Sequence, residues 1–378
     1  MKDWRLNENR DELFFRWFDW RLKGGGIDHY LWNNGYRDTA HSVTGAPMTE
    51  DQRFWFAYLF GMTYQSSMAW IFYQTFPDYD KLDFAELDRW NRGTMARQKF
   101  ATDTRYNKGH IVKMVQSFQE FVNRRGQGSI KRAFYDCLVD DETQSYHNVN
   151  EEIQKLYKFG RMTGWLFSQA LAETCDLPIR PDTMFINDPA NVSVWNGLHF
   201  LNNAENKTVG EHYANHKPTP QDRAQAAKWE QELMAKARDR ISDKYLSYFT
   251  LETHLCQCKK LFVGRDYPGQ NTGDAVNRYI DFKEKWPEIN FQGFADTVDQ
   301  KIYPAIRWNR ESKALMKLFE ATGSPINLHE QYPEDMPNMY EILDIKREWL
   351  FDPEGKFEPM IAERIANYGK AGTLEDFF

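Results

Sequence analysis

Apolar side chains return along much of this chain every three or four positions, the spacing that places them on one face of an α-helix. Leu13, Phe14, Trp17 and Phe18 form an i, i+1, i+4, i+5 stripe that stops at the glycines 24–26. Those glycines follow a helical pattern and lead into no Lys-Ser/Thr pair, so they read as a terminator rather than a phosphate loop. A second helix is predicted over 51–63, opened by Thr49-Glu50-Asp51 and carrying Phe54, Trp55, Tyr58 and Leu59. The clearest stripe is Ile111, Met114, Val115, Phe118, Phe121 and Val122, after the polar loop TDTRYNKGH. Such amphipathic helices need a shared core.

The same periodicity predicts helices over 151–158, 161–174, 220–247, 248–262, 273–285, 295–320 and 358–369. Alternating strand-type runs are scarce, so the fold class is mostly α. Pro178, Pro181, Pro189, Asn187, Asn191, Asn202 and Asn203 interrupt any period and predict irregular chain over 176–218. No internal repeat, low-complexity tract or linker divides the sequence, which points to one two-lobed helical domain over 1–378.

Composition narrows the class. With 41% hydrophobic and 16% aromatic residues, the 378-residue chain is not a disordered one. Its 13 Trp, 19 Tyr and 27 Phe supply core packing, and also flat surfaces on which bases stack. Four cysteines, Cys137, Cys175, Cys256 and Cys258, are too few for a disulfide scaffold in so long a chain and agree with a reducing compartment. The charged N-terminus and the lack of a bilayer-length apolar run point to a cytoplasm, with no membrane partner. A net charge of -7 means that any nucleic-acid surface is a local patch.

One stretch joins pattern to chemistry: LYKFGRMTGWLFSQALAETCDLPIRPDT, residues 156–183. Asn150 is expected to cap a helix with Glu151 and Glu152 in its first turn, running through Leu156 to a break at Phe159-Gly160. A new helix begins at once, giving a helix-hairpin-helix. Its glycine lets backbone approach a phosphate, and the amides of the second helix, with Lys158 and Arg161 beside them, suit an anion. An ordinary tight turn between core helices fits the same residues.

The residues LYKFGRMTGW…LPIRPDT resemble the hairpin and following segment of helix-hairpin-helix DNA glycosylases. Leu156, Gly160, Arg161 and Thr163 fall on the hairpin pattern, and Asp182 on the catalytic aspartate. Lys158 stands where the first hairpin glycine belongs and Tyr157 where a proline belongs. Met162 replaces the Schiff-base lysine of bifunctional members, so the resemblance carries no lyase activity. A longer resemblance rests on FFRWFDWRLKGGGIDHYLW, DQRFWFAYLFGMTYQSSMAWIFYQTFPD, DTRYNKGH and LETHLCQCKKLFVGRDYPG. These are similar to the bacteriophage amino acid:DNA transferases, related to the alpha-glutamyl/putrescinyl thymine pyrophosphorylases. The resemblance implies a glycosylase-like core over about 10–300 with a C-terminal helical extension at 301–378. The implied work is thymidine hypermodification in the host cytoplasm, with the amine of an amino acid or polyamine displacing pyrophosphate from pyrophosphorylated 5-hydroxymethyluracil in double-stranded DNA.

That reaction needs an exposed base, a neutralised pyrophosphate and an unprotonated amine. For pyrophosphate, DTRYNKGH offers Arg105, Asn107, Lys108 and His110 at the start of the helix from 111. Glu252, Lys259 and Lys260 fall along one side of a helix, followed by Arg265 and Tyr267 in a loop able to meet phosphate. Asp182 is a carboxylate able to take a proton from the amine or hold its ammonium form, with Lys108 and Glu252 as its catalytic companions. Tyr64 and Gln65, placed inside a helix, and Asn187 suit a flipped base, while Arg124 and Arg125 open a basic loop for the DNA backbone. His254, Cys256 and Cys258 point apart on a helix, so no metal site is expected. No cofactor is expected beyond the amine co-substrate, with room for a divalent metal accompanying pyrophosphate. The alternatives are a base-excising glycosylase and a non-catalytic DNA-binding protein; Tyr, Gln, Asn and Lys residues in these places also serve as ordinary packed, capping or solvated groups.

Overall fold

The computed structural model describes residues 7–20, 22, 48–98, 102–186, 188, 192–202, 218–242, 244, 246–261, 283–289, 344, 346 and 356–367. Its helices are α1 Asn7–Trp20, α2 Glu50–Thr63, α3 Ser66–Thr75, α4 Phe84–Gly93, α5 Ile111–Gly126 and α6 Ile130–Tyr135, then α7 Glu142–Gln154, α8 Arg161–Thr174, α9 Val192–Asn202, α10 Pro220–Arg240, α11 Tyr248–Leu261 and α12 Glu358–Asn367. Among the described residues there is no strand, so the class is mostly α. The chain divides into two compact units, one of residues 28–182 and 279–297, the other of 1–27, 183–278 and 298–378.

In the first unit α2 is the central element. Thr49 accepts from the Gln52 amide while the Gln52 side chain accepts from the Thr49 amide, a reciprocal cap that fixes where the helix starts. From Phe54 to Thr63 every residue is buried, because helices pack on several of its faces. The Tyr58 ring stacks on Phe118 of α5 with centroids 4.0 Å apart, and on Phe159 at 5.1 Å. Gly61 meets α8 so closely that a Cβ there would lie 2.7 Å from the Phe167 Cβ. Only glycine permits that crossing. The predicted α5 stripe is buried throughout, from Ile111 to Val122.

In the second unit, Leu13, Phe14 and Phe18 of α1 share a core with Val194, Trp195, Leu198, Leu201, Leu251 and Leu255. His254 belongs to that core: it is fully buried, its ring lies 4.3 Å from Phe18, and its Nδ1 bonds the Thr250 carbonyl.

Several boundaries differ from the sequence reading. The helix expected over 151–158 runs from Glu142 to Gln154, capped by Asp141, whose carboxylate accepts from the Gln144 amide. Glu151 and Glu152 therefore stand in its last turn, not its first, and Asn150 is an interior residue. Its buried side, Ser145, Tyr146, Val149 and Ile153, starts earlier than the cap signal at Asn150 suggested. Helix α9 lies inside the stretch expected to be irregular, because Val194, Trp195, Leu198 and Leu201 form a stripe between the asparagines. Helix α10 ends at Arg240 rather than 247, where Ile241 turns extended. TDTRYNKGH is not a loop but a 3₁₀ run, Thr102–His110. The glycines 24–26, the 295–320 helix, most of 273–285 and most of the 301–378 extension lie outside the described residues.

Candidate active site

Three segments distant in sequence are tied together in the first unit. The first is the break between α2 and α3. Tyr64 and Gln65 were expected inside one helix, but α2 ends at Thr63, Tyr64 takes a left-handed conformation with φ 47°, and Gln65 opens α3. Gln65 is only 5% exposed, and among the described residues its Oε1 has no hydrogen-bond partner. A buried acceptor left in this way costs about 1–3 kcal/mol.

The 3₁₀ run Thr102–His110 is the second segment, and it satisfies the carbonyls at the end of α2. Thr104 Oγ1 donates to the Thr63 carbonyl at 2.8 Å and Asn107 Nδ2 to the Met62 carbonyl at 2.8 Å. Asn107 is thus buried and works as a brace beneath the break. The Lys108 carbonyl accepts from Asn91 of α4 at 3.0 Å, and its side chain is half-buried. His110 leads straight into α5, so the first amides of that helix follow earlier helical turns instead of an open end.

The hairpin between α7 and α8 is the third. Tyr157 Oη lies 3.1 Å from His110 Nδ1, and the Tyr157 amide donates to Ser117 Oγ of α5 at 3.0 Å. A proline at 157 would lack that donor. Lys158 adopts φ 66°, the left-handed conformation that glycine favours. Gly160 caps α8 at φ −76°, and a Cβ there would meet nothing within 4 Å. Lys158 and Gly160 are exposed, Arg161 is half-buried and Thr163 is buried.

The hairpin is clamped from below. Glu152, 4% exposed, is paired with Arg124 at 3.1 Å, with Arg125, and with Lys155 at 2.9 Å. Burial raises its pKa, but hydrogen bonds from Lys155 and Arg125 outweigh that and leave it below the usual range. Arg124 and Arg125 therefore have a structural partner within the protein.

Asp182 ends a strap held along α7. Leu177 and Ile179 are buried, the Arg180 amide donates to the Glu142 carbonyl at 3.1 Å, and the Arg180 and Glu142 side chains lie 3.5 Å apart. The strap delivers Asp182 Oδ1 to 3.5 Å from Nε2 of His147. Tyr146, beside His147, has its phenol pKa raised by burial and further by Asp182. The sequence reading passed over His147, since no spacing links a residue of α7 to one on the strap that follows α8.

Glu252 belongs to α11 of the other unit, where its Oε2 lies 3.5 Å from Thr253 Oγ1, and Cys256 Sγ lies 2.9 Å from Ser193 Oγ. The side chains of Arg105, Lys259 and Lys260, and the whole of Asn187, Arg265 and Tyr267, lie outside the described residues. Among the described residues no three His, Cys, Asp or Glu gather as a metal set, and no helix is long and apolar enough to cross a membrane.

The first unit is thus all-α among the described residues and brings a hairpin bearing Lys158 and Arg161 next to the 3₁₀ run with Lys108 and His110. A profile of the family described as amino acid:DNA transferase matches residues 36–267, and the chain belongs to that family. It is accordingly an amino acid:DNA transferase, with DNA and an amino acid as its partners. The chain is 24% identical to a serinyltransferase of Salmonella phage ViI over 307 residues, 74% of this chain and 72% of the relative. No solved structure matches it.

Proposed function

We propose that this transferase acts on pyrophosphorylated 5-hydroxymethyluracil in double-stranded DNA, in the cytoplasm of a phage host. The amine nitrogen of an amino acid or polyamine attacks the exocyclic methylene, the C–O bond to pyrophosphate breaks, and one proton leaves the nitrogen. The name of the phage relative makes serine the first amine to test. The observation that carries the reading is the chain of contacts joining the Tyr64–Gln65 break, the Thr102–His110 run and the Tyr157–Arg161 hairpin.

On this reading the hairpin holds DNA backbone, with the Gly160 amide region and Lys158 and Arg161 facing phosphate. Lys108, His110 and Arg105 neutralise the leaving pyrophosphate, and a divalent cation arriving with the substrate would add positive charge there. Gln65 meets the Watson-Crick edge of the extruded pyrimidine, where the N3–H of a uracil ring is a donor for its unpartnered Oε1. Asp182 supplies the carboxylate near which the amine's positive charge is handled, and Glu252, Lys259, Lys260, Arg265, Tyr267 and Asn187 complete substrate binding. The fold remains a single two-lobed domain of glycosylase-like type in this proposal.

The test is mass spectrometry of nucleosides from DNA carrying pyrophosphorylated 5-hydroxymethyluracil, after incubation with the protein and a mixture of amino acids and polyamines. The expected result is a thymidine adduct with pyrophosphate released, lost in Asp182→Asn and Lys108→Ala. Release of free base without an adduct would instead assign glycosylase chemistry to this frame.

A further inference from the structure

We propose that His147 is the general base of the transfer, taking the proton from the attacking amine, and that Asp182 is a positioning residue that acts through it. The inference rests on the transferase reading above and deepens it.

The geometry carries the assignment. His147 Nε2 faces Asp182 Oδ1 at 3.5 Å, a separation of the kind that tightens when substrate orders the pair. Asp182 is exposed, but the strap that carries it is anchored. On its N-terminal side Arg180 is fixed to Glu142 through both backbone and side chain. Pro181, buried, limits the backbone immediately before Asp182. Once the pair closes to hydrogen-bond distance, the carboxylate selects the tautomer with hydrogen on Nε2 and leaves the Nδ1 lone pair as the acceptor.

The proton balance is complete. As the amine nitrogen bonds the methylene carbon, pyrophosphate departs with the C–O electron pair. The nitrogen loses one hydrogen to His147 Nδ1, and the imidazolium formed is stabilised by the Asp182 carboxylate and later deprotonated by solvent. Position supports the role too. His147 lies seven residues before the end of α7, about 10 Å along the helix axis from the hairpin proposed to hold the backbone.

The deciding experiment is single-turnover transfer at saturating amine, with DNA affinity measured alongside. His147→Gln is expected to slow transfer by roughly 100-fold or more, the usual worth of general-base catalysis, with DNA affinity unchanged. In His147→Ala, added imidazole is expected to restore rate in proportion to its concentration, which a purely structural histidine would not allow. The His147→Gln/Asp182→Asn double variant should be no slower than the worse single one, because the two groups act as a unit. Wild-type rate in His147→Gln, or rescue-free loss accompanied by lost DNA binding, overturns the assignment while the transferase reading stands. A wild-type protein that forms no adduct overturns that reading and this inference with it.

Discussion

Two short connections in the first unit hold the same backbone conformation in opposite surroundings. Tyr64 between α2 and α3 and Lys158 between α7 and α8 both sit in the left-handed region, at φ 47° and 66°. For residues with a side chain this costs about 1–2 kcal/mol each. The first connection is internal: it is braced by Thr104 and Asn107 and carries the buried, unpartnered Gln65 Oε1. The second is external: Lys158 and Gly160 face solvent, with open space where a Cβ would be. One strained turn thus keeps a polar side chain inside the protein, and the other leaves its backbone at the surface. An extruded base and a phosphate strand are two parts of one DNA ligand that fit this division.

The sharpest test of the internal turn is Gln65→Leu, which keeps the volume and removes the unsatisfied acceptor. Folding stability should rise by about 1 kcal/mol, since the buried polar atom no longer lacks a partner. Transfer should fall about 100-fold or more, because a site built to hydrogen-bond the base then cannot. A thermal melt and a single-turnover assay read the two effects. Retained activity would reduce Gln65 to a packing residue.

Glu152→Gln bears on how rigidly the external turn is held. Removing the charge leaves Arg124, Arg125 and Lys155 facing one another, and stability at neutral pH should drop by roughly 2 kcal/mol, below the 3–5 of fully buried pairs because the cations are part-exposed. The sign with pH follows from the lowered pKa of Glu152. Its contribution is present above the unfolded carboxylate range and is lost as pH falls through the folded value. Chemical denaturation across pH should therefore show wild type and variant converging in acid. A difference that persists there would mean that the clamp is not electrostatic.

The contrast also explains what was legible from sequence. Helices with one buried face, such as α5 with Ile111, Met114, Val115, Phe118, Phe121 and Val122 turned inward, could be read from their stripe. Helix α3 could not, because SSMAWIFYQT is buried nearly all round and has no period to read. Helix α7 was misplaced because the asparagine at 150, followed by two glutamates, imitates a first turn, while the true cap is Asp141. Among site residues, Lys158, Gly160, His110 and Gln65 were nominated one segment at a time. Their association was hidden because it depends on long-range bonds such as Asn107 to Met62 and Tyr157 to His110, which leave no local pattern. His147 was missed for the same reason: its partner arrives on a strap 35 residues later in the chain.

The smallest expected effects separate charge from backbone in the external turn. Lys158→Gly removes the left-handed strain, and stability should rise by up to about 1 kcal/mol, less the added freedom of glycine in the unfolded chain. The same change deletes one cation, so DNA binding should weaken and the slope of log K against log salt should shrink by about one. Gly160→Ala is the converse. Its φ of −76° and open surroundings leave folding within about 1 kcal/mol of wild type, yet the added methyl stands where a phosphate would come closest to the chain. DNA affinity should fall severalfold with the salt slope unchanged, since no charge is lost. If Gly160→Ala binds DNA as wild type does while Lys158→Gly does not, the hairpin attracts the strand through charge alone, and its backbone is a turn like any other.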